Sequence, residues 1–368
     1  MSSSRRRPSF VQRQQRLCSI ILDSATAVSV IYSLYHNPSY LDPWNIPDTK
    51  LWLLGFICIR LGVIFYDHLV VFVIENLPAV SGKLLPTREA GAPPVRYVTL
   101  DAKSIVYLSL NSLNEYTFVM RLTHYLWQGG YMGMLCWKVT DLTIGNTIVA
   151  LGIMFISMDL LYAPLHHWLH LPSIYPLIHK HHHRQHYPTR GYLDAGNEHP
   201  IEHMIGVVCT WFAVCTSEVF LPTIGLLIDS MCGRRNDSIV MGGGVHALTV
   251  MIFFQFHAAL ACMNHSPYDV KFSLPFLGSA SLLGSTESKL LQLAGGYDFS
   301  GGKWLRQLLT GQWFQYSVGH HEMHHRKFNY NYGQYCMFYD WCMGTFLEYE
   351  GPMSAAQLEK RRSSLKVE

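Results

Sequence analysis

The chain has 368 residues, 49% of them hydrophobic and only 14% charged, with apolar runs long enough to cross a bilayer at about 20 residues per helix, so it reads as an integral membrane protein. A mean hydropathy of only +0.12 requires a large polar portion outside the lipid, holding most of the 20 histidines. A net charge of +3 gives no footprint for a nucleic-acid partner, and nine cysteines without a C-x-x-C pair, mostly in apolar segments, read as reduced small hydrophobes and exclude a disulfide frame.

Arg5, Arg6, Arg7, Arg13 and Arg16 precede a first apolar run at 17–35, which predicts a retained helix with its basic end in the cytosol. A second run, 51–75, is interrupted by Arg60, Asp67 and His68, charges at helical spacing that can pair inside a bundle. The Pro- and Gly-rich stretch 78–95 follows, with Lys83, Arg88, Arg96 and Lys103 marking a cytosolic side. Residues 104–137 carry Asn111, Asn114, Glu115, Arg121 and His124, a pattern compatible with a span or an interfacial segment. The run 142–165 predicts a span ending at Pro164, kinked just before His166. Runs at 203–229 and 239–263 form a predicted hairpin.

The expected fold is all-α, a polytopic membrane helical bundle of about four to six spans with a histidine-rich helical cap holding a dinuclear metal site. Its expected organisation is an N-terminal membrane region (1–140), a catalytic region (141–350) and a charged tail (351–368). Simple alternation of the helices puts the histidine clusters on the cytosolic side with the N-terminus. Arg234 and Arg235 would then be lumenal, against the positive-inside rule, partly offset by Asp229 and Asp237.

Two histidine clusters have the same form, His179-x-x-His182-His183 and His321-x-x-His324-His325, and His166-x-x-x-His170 stands ahead of the first. On a helix, positions i, i+3 and i+4 share a face, so each cluster can aim two or three imidazoles at a common centre. Neutral imidazole ligates iron, zinc or copper, and eight histidines exceed what one ion takes, which argues for two metals. A solvated basic surface or a loose metal-sequestering tract needs neither fixed spacing nor a matching partner cluster. Isolated His36, His68, His124, His246 and His257 read as ordinary core or interfacial residues.

The boxes resemble those of the membrane-bound fatty acid hydroxylase superfamily, which includes sterol desaturases, sterol 4-methyl oxidases and sphingoid-base hydroxylases. Asp159 with His166-His167-Trp168-Leu169-His170 is similar in spacing to D-x(6)-H-R-x-x-H, and His179-Lys180-His181-His182-His183 to H-K-x-H-H. His199-Pro200-Ile201-Glu202 resembles H-P-x-E, and Asn264 through Asp269 the middle N-H-S-G-Y-D element. His321-Glu322-Met323-His324-His325 with Asn331-Tyr332-Gly333 resembles the third box and its N-Y-G, and Asp340 through Thr345 the closing W-D-x-x-x-G-T. The chain departs from the pattern at His167 for Arg, Pro267 for Gly and Tyr339 for Trp. The segment 270–318 is longer than in the family and reads as a membrane-surface loop or substrate lid.

The resemblance implies a non-haem centre of two iron ions, with His166, His170, His179, His182, His183, His199, His265, His321, His324 and His325 as metal ligands. His167, His181 and His320 fall on variable positions of the boxes. Asp159, Glu202, Asn331 and Asp340 lie beside the ligands, and the acids read as acceptors of the imidazoles' distal N–H bonds, with burial as ion-pair partners of Lys180 or Arg184 an equal alternative.

No acid or base side chain can reach an unactivated C–H bond, so a lipid substrate requires an oxidant, and the resemblance implies dioxygen. The expected function is hydroxylation or desaturation of a membrane lipid, foremost a sterol, at the endoplasmic reticulum. Electrons would come from a b-type cytochrome and its NADH-dependent reductase, for which the sequence carries no domain of its own. Lys180, Arg184, Arg190, Arg326 and Lys327 could steer an acidic donor, or form a solvated rim. The alternatives are a fatty acyl or sphingoid-base hydroxylase, a histidine-rich zinc transporter, and a family member that binds metal without catalysis.

Overall fold

The computed structural model describes Tyr32, His36, Leu85 and residues 100–130, 135–185, 191–231, 244–273, 315–354 and 356. The expected spans at 17–35 and 51–75, nearly all of 78–95, the loop with Arg234 and Arg235, Arg190, residues 274–314 of the expected lid and most of the tail lie outside them.

The described chain is mostly helical. Helices α1 (Ala102–Gln128) and α2 (Ile144–Leu169) are followed by a single turn, α3 (Tyr192–Ala195), and by α4 (Pro200–Met231) and α5 (Ala247–Asn264). Two short strands, β1 (Lys271–Ser273) and β2 (Gln315–Ser317), pair antiparallel and lead into α6 (Val318–Arg326), and α7 (Phe338–Met343) closes the order. Among the described residues, three helices are long and apolar enough to cross a membrane, at Ile144–Leu169, Pro200–Gly225 and Ala247–Asn264.

Side chains that accept from exposed backbone N–H groups start these helices: Asp101 from Ser104 N at 2.8 Å, Thr143 from Asn146 N at 3.1 Å, and His246 Nδ1 from Leu248 N at 3.1 Å. The core joins Met154, Phe155 and Met158 of α2 to Cys209, Ala213 and Val214 of α4 and to Val250 and Phe253 of α5, all fully buried. Small residues at Ala150 and Ala213 let the backbones approach closely where apolar solvent offers no hydrophobic drive. Gly129, left-handed at φ 80°, ends α1, and the segment after it returns to the start of α5 through Cys136 N–H to Val245 O (2.8 Å) and Ala247 N–H to Cys136 O (2.9 Å).

Helix α1, within the stretch 104–137, buries polar side chains in its first half and the apolar Val119, Leu122, Tyr125 and Leu126 in its second. Ser104, Asn111 and Ser112 are buried while Ile105, Val106, Leu110 and Leu113 are exposed. Asn111 Nδ2 donates to the carbonyls of Gly196 and Glu198, both at 2.9 Å, so the polar face docks on the segment carrying the histidines. The outer face suits contact with lipid.

Two local expectations are corrected. Helix α2 does not end at Pro164 but continues to Leu169, because a proline removes one intrahelical bond while the buried Ala163, His166 and Leu169 keep the last turn packed. Residues 171–185 are not an α-helix but a run of turns closed by a 3-10 turn at His182–Arg184, since Pro172 and Pro176 lack the N–H that a regular helix would use there.

Candidate metal centre

Four segments bring nine imidazoles together. The end of α2 supplies His166 and His170, the turns after it His179, His182 and His183, the end of α5 His265, and α6 His321, His324 and His325. They sort into two groups whose nitrogens lie within 4.8 Å of one another: His166, His170, His179, His183 and His324 in the first, and His182, His265, His321 and His325 in the second. The groups adjoin, with the rings of His183 and His325 centred 4.7 Å apart. The 179–183 and 321–325 boxes therefore each feed both pockets, whereas His166 and His170 both serve the first. On α6, His321 and His325 share a face one turn apart while His324 points to the other pocket, and the turn at 179–183 splits His182 from its neighbours in the same way.

Hydrogen bonds fix the tautomers. His166 Nδ1 faces the Tyr332 carbonyl at 2.9 Å, His324 Nδ1 the Tyr330 carbonyl at 2.7 Å, His265 Nδ1 the Ala261 carbonyl at 2.9 Å and His179 Nδ1 the Glu202 carboxylate at 2.7 Å. The carbonyls only accept, so Nδ1 of His166, His324 and His265 carries the proton and Nε2 in these neutral rings presents a lone pair, and Glu202 does the same for His179 in its ionised form. Those lone pairs point at one another, with His166 Nε2 3.0 Å from His179 Nε2 and no hydrogen between them. The Nε2 atoms of His183 and His179 lie 2.8 Å apart, and those of His324 and His183 3.2 Å apart. In the second pocket His265 Nε2 lies 3.2 Å from His321 Nε2 and 3.4 Å from His182 Nε2.

Facing lone pairs repel unless a cation lies between them. Two imidazole nitrogens each about 2.1 Å from one ion and at right angles are about 3.0 Å apart, the spacing found here. His170 Nε2 is buried without a hydrogen-bond partner, as expected of an atom waiting for a metal. Burial holds the pKa values of His179, His182, His183, His321, His324 and His325 well below the ordinary histidine value, keeping them in the neutral form that ligates. The residues present fit two metal ions with nitrogen ligands.

The expected acceptors divide. Glu202 orients an imidazole as predicted, but Asp159 and Asp340 do not. Asp159 accepts the backbone N–H groups of Gln334 (2.8 Å), Tyr335 (2.9 Å) and Cys336. Asp340 accepts those of Tyr332 and Gly333, both at 2.8 Å, and the Thr345 hydroxyl at 2.8 Å. Both fasten the loop 330–336, and that loop's carbonyls at Tyr330 and Tyr332 orient His324 and His166. Neither acid is an ion-pair partner of Lys180 or Arg184, and Arg184 pairs with Asp101 at 2.9 Å instead. Asn331 also serves the loop, left-handed at φ 56°, with Nδ2 donating to the carbonyls of His320 (2.9 Å) and Leu347 (2.8 Å). Gly333 is required because a Cβ there would overlap the Cys336 carbonyl oxygen.

His199 stands apart from both pockets. Its Nδ1 accepts from Ile201 N at 3.1 Å at the start of α4, and its ring packs edge-on against Tyr107 at 5.1 Å, so its place before the helix gives it a capping role and takes it away from the metal. The variable-position histidines have other partners: His181 meets Asn197 at 2.9 Å, and His320 packs on Phe346. His167 and Tyr339, two of the departures from the motif, touch each other, Nδ1 to hydroxyl at 2.9 Å, and His167 stacks on Tyr332 at 4.3 Å. Of the basic residues beside the boxes, Arg326 is buried and paired with Glu322 at 3.1 Å, which removes it from any steering rim, while Lys180 and Lys327 are exposed. The carbonyls of Ala261, Tyr330 and Tyr332 leave no side-chain signature for a sequence reading to find.

Comparison with known protein families, with characterised proteins and with solved structures gives no match. The class these observations define is a helical protein with membrane-length apolar helices and two adjoining histidine pockets that can each hold a metal ion.

Proposed function

We propose that this chain is a membrane-bound non-haem di-iron oxidoreductase that uses dioxygen and externally supplied electrons to hydroxylate or desaturate a lipid, foremost a sterol in sterol biosynthesis. The observation that carries this reading is the pair of adjoining pockets in which nine imidazoles, eight of them buried, bring their nitrogens within 4.8 Å of one another in two groups. A pair of iron ions bound there supplies redox chemistry strong enough for a carbon-bound hydrogen, which no side chain of the protein can remove.

The protein's own residues set the geometry. Glu202 and the carbonyls of Tyr330, Tyr332 and Ala261 hold the Nδ1 protons, so that Nε2 of His179, His324, His166 and His265 stays free to ligate. Ligands at the ends of apolar helices suit a substrate dissolved in the bilayer that enters between helices. The same placement argues against a zinc transporter, whose ligands would lie within the spans. The setting proposed is the endoplasmic reticulum membrane, with the pockets facing the cytosol and electrons arriving from a b-type cytochrome and its NADH-dependent reductase. A fatty acyl or sphingoid substrate is the alternative within the same chemistry.

The test is lipid profiling by mass spectrometry of two sterol-auxotrophic strains expressing the chain, one lacking a carbon-5 desaturase and one a 4-methyl oxidase. Restored sterols in either strain fix substrate and outcome together, and rescue of neither by an iron-loaded protein removes the sterol assignment. His182→Ala and His324→Ala, one from each pocket, each abolish the activity and lower bound metal; turnover equal to that of the unaltered chain refutes the di-iron reading.

A further inference from the structure

Three polar side chains of the apolar helices face into the bundle on the membrane side of the first pocket. Tyr162 of α2 stands three, four or seven positions from Phe155, Met158, Asp159, His166 and Leu169, all buried, so it lies in the middle of that helix's packed face. His257 of α5 has the same relation to Val250, Phe253, Phe254, Leu260 and Asn264, again all buried. Both are nevertheless partly exposed. A side chain whose neighbours along its helix face are buried is reached only from within the bundle, so both border an interior space. His203, in the first turn of α4, lies on the side away from the exposed Ile201, Met204 and Val208 and is also partly exposed. It is within electrostatic reach of His257. Tyr162 is within that of Tyr335, whose hydroxyl is hydrogen-bonded to His257 Nδ1.

Each side chain brings an unused hydrogen-bonding atom to this space. The Tyr162 hydroxyl has no hydrogen bond among the described residues. His203 Nδ1 faces Glu198 Oε1 at 2.9 Å, which leaves its Nε2 buried and without a partner. His257 uses Nδ1 on Tyr335, and among the described residues its Nε2 has no hydrogen bond. The surroundings are apolar: Tyr162 packs on the core that includes Phe155 and Met158, and the Phe253 ring lies 6.2 Å from that of His257. Apolar walls with a few convergent polar groups are the form of a small-ligand site. The Tyr162 ring is centred 5.1 Å from that of His166, so the space adjoins the first pocket.

We infer that Tyr162, His203 and His257 bind the hydroxyl group of a lipid substrate, so that its hydroxyl-bearing end, and not the far end of its hydrocarbon, meets the metal centre. A hydroxyl both donates and accepts, and it therefore satisfies a phenol and an imidazole nitrogen in either protonation state. A hydrocarbon tail in the same place would strand three polar atoms, and a carboxylate would stand close to Glu198. Tyr162 and the ligand His166 are one helical turn apart, about 5.4 Å along the axis, which puts the oxidised carbon within a few bonds of the hydroxyl. The rest of the lipid then runs out between the helices into the bilayer. The inference rests on the lipid-oxidising reading above and narrows its substrate class to lipids oxidised near a hydroxyl.

The test is equilibrium binding to the full-length chain, purified in detergent, reconstituted with ferrous iron and desalted, with metal content read in parallel. The probes are tritiated cholestanol and cholestane, which differ only in the hydroxyl, and octadecanol and octadecane as the open-chain pair. Cholestanol is expected to bind tighter than cholestane by on the order of 100-fold. Tyr162→Phe removes one oxygen atom; it should weaken cholestanol about tenfold and leave cholestane binding and metal content unchanged, and His203→Leu should do the same. A hydroxyl preference confined to octadecanol supports the subsite and moves the substrate to an open-chain alcohol. Equal binding within each pair, or binding of none of the four, overturns the subsite, and its polar groups then hold water only. Equal weakening of cholestanol and cholestane in the variants assigns the residues to packing and also refutes it. A hydroxyl preference in a chain that retains no metal overturns the di-iron reading and leaves the subsite, whereas two ions without a preference does the reverse.

Discussion

Asp159→Asn separates the two pockets. Asp159 receives three backbone N–H groups from the loop 334–336, one on Oδ1 and two on Oδ2. An asparagine can keep its oxygen on the side with two donors, and its NH2 then faces the N–H of Gln334. One charge-assisted bond is lost, at about 2 kcal/mol, and a buried donor is stranded, at about 2 more, so the loop is loosened by about 4 kcal/mol. Through the Tyr330 and Tyr332 carbonyls this loop orients His324 and His166, both in the first pocket. Losing such a partner lowers metal affinity by roughly 10–100-fold for each ligand it orients. The second pocket uses no carbonyl of this loop, since His265 is oriented by Ala261 of its own helix. Dialysis against graded chelator followed by metal analysis should show Asp159→Asn losing one ion at a chelator concentration that leaves the unaltered chain full. Full retention, or parallel loss from both pockets with the helical circular dichroism intact, would refute this account of the loop.

Three further outcomes follow from the same contacts. His199→Ala should leave metal content unchanged, costing at most about 1 kcal/mol at the start of α4, which a thermal melt in detergent can read. Gly333→Ala should destabilise the loop and release metal from the first pocket, because the added Cβ meets the Cys336 carbonyl; unaltered metal binding would show that the backbone yields there. Metal-stripped protein should lose stability on acidification. The unfolded histidines take protons near 6.5, whereas burial holds His183, His321 and His325 well below that value when folded. The unfolded state therefore binds more protons, and stability rises with pH across the window below 6.5. A Tm series that is flat as the pH falls through that window would contradict the burial of these rings.

Much of the site is legible in the sequence because ligand chemistry is carried by side chains with fixed spacing. The H-x-x-H-H repeats, His166-x-x-x-His170 and His265 name nine residues that meet in space. Their partition is not legible. Assigning His182 and His324 to opposite pockets from their neighbours needs the path of a proline-broken turn and the tilt of α6, neither of which spacing encodes. The acids misled because a buried Asp beside histidines looks like an imidazole partner, while backbone N–H groups, invisible as letters, claim Asp159 and Asp340. The apolar runs at 142–165, 203–229 and 239–263 overlap the three long helices, the last of which begins only at Ala247, and the buried polar residues in the first half of α1 depend on what they pack against, through Asn111 and Ser104.

The first pocket joins His183 to His324 across 141 residues. Ribosomes add about 5–20 residues per second, so some 7–30 seconds separate the two residues at the exit of the peptide tunnel. Throughout that interval the chain exposes an incomplete ring of imidazoles whose affinity for copper and zinc exceeds that for ferrous iron. For the di-iron protein proposed above, the metal carried would then depend in part on what the nascent chain meets before α6 arrives, which would make loading a matter of biogenesis as much as of equilibrium binding.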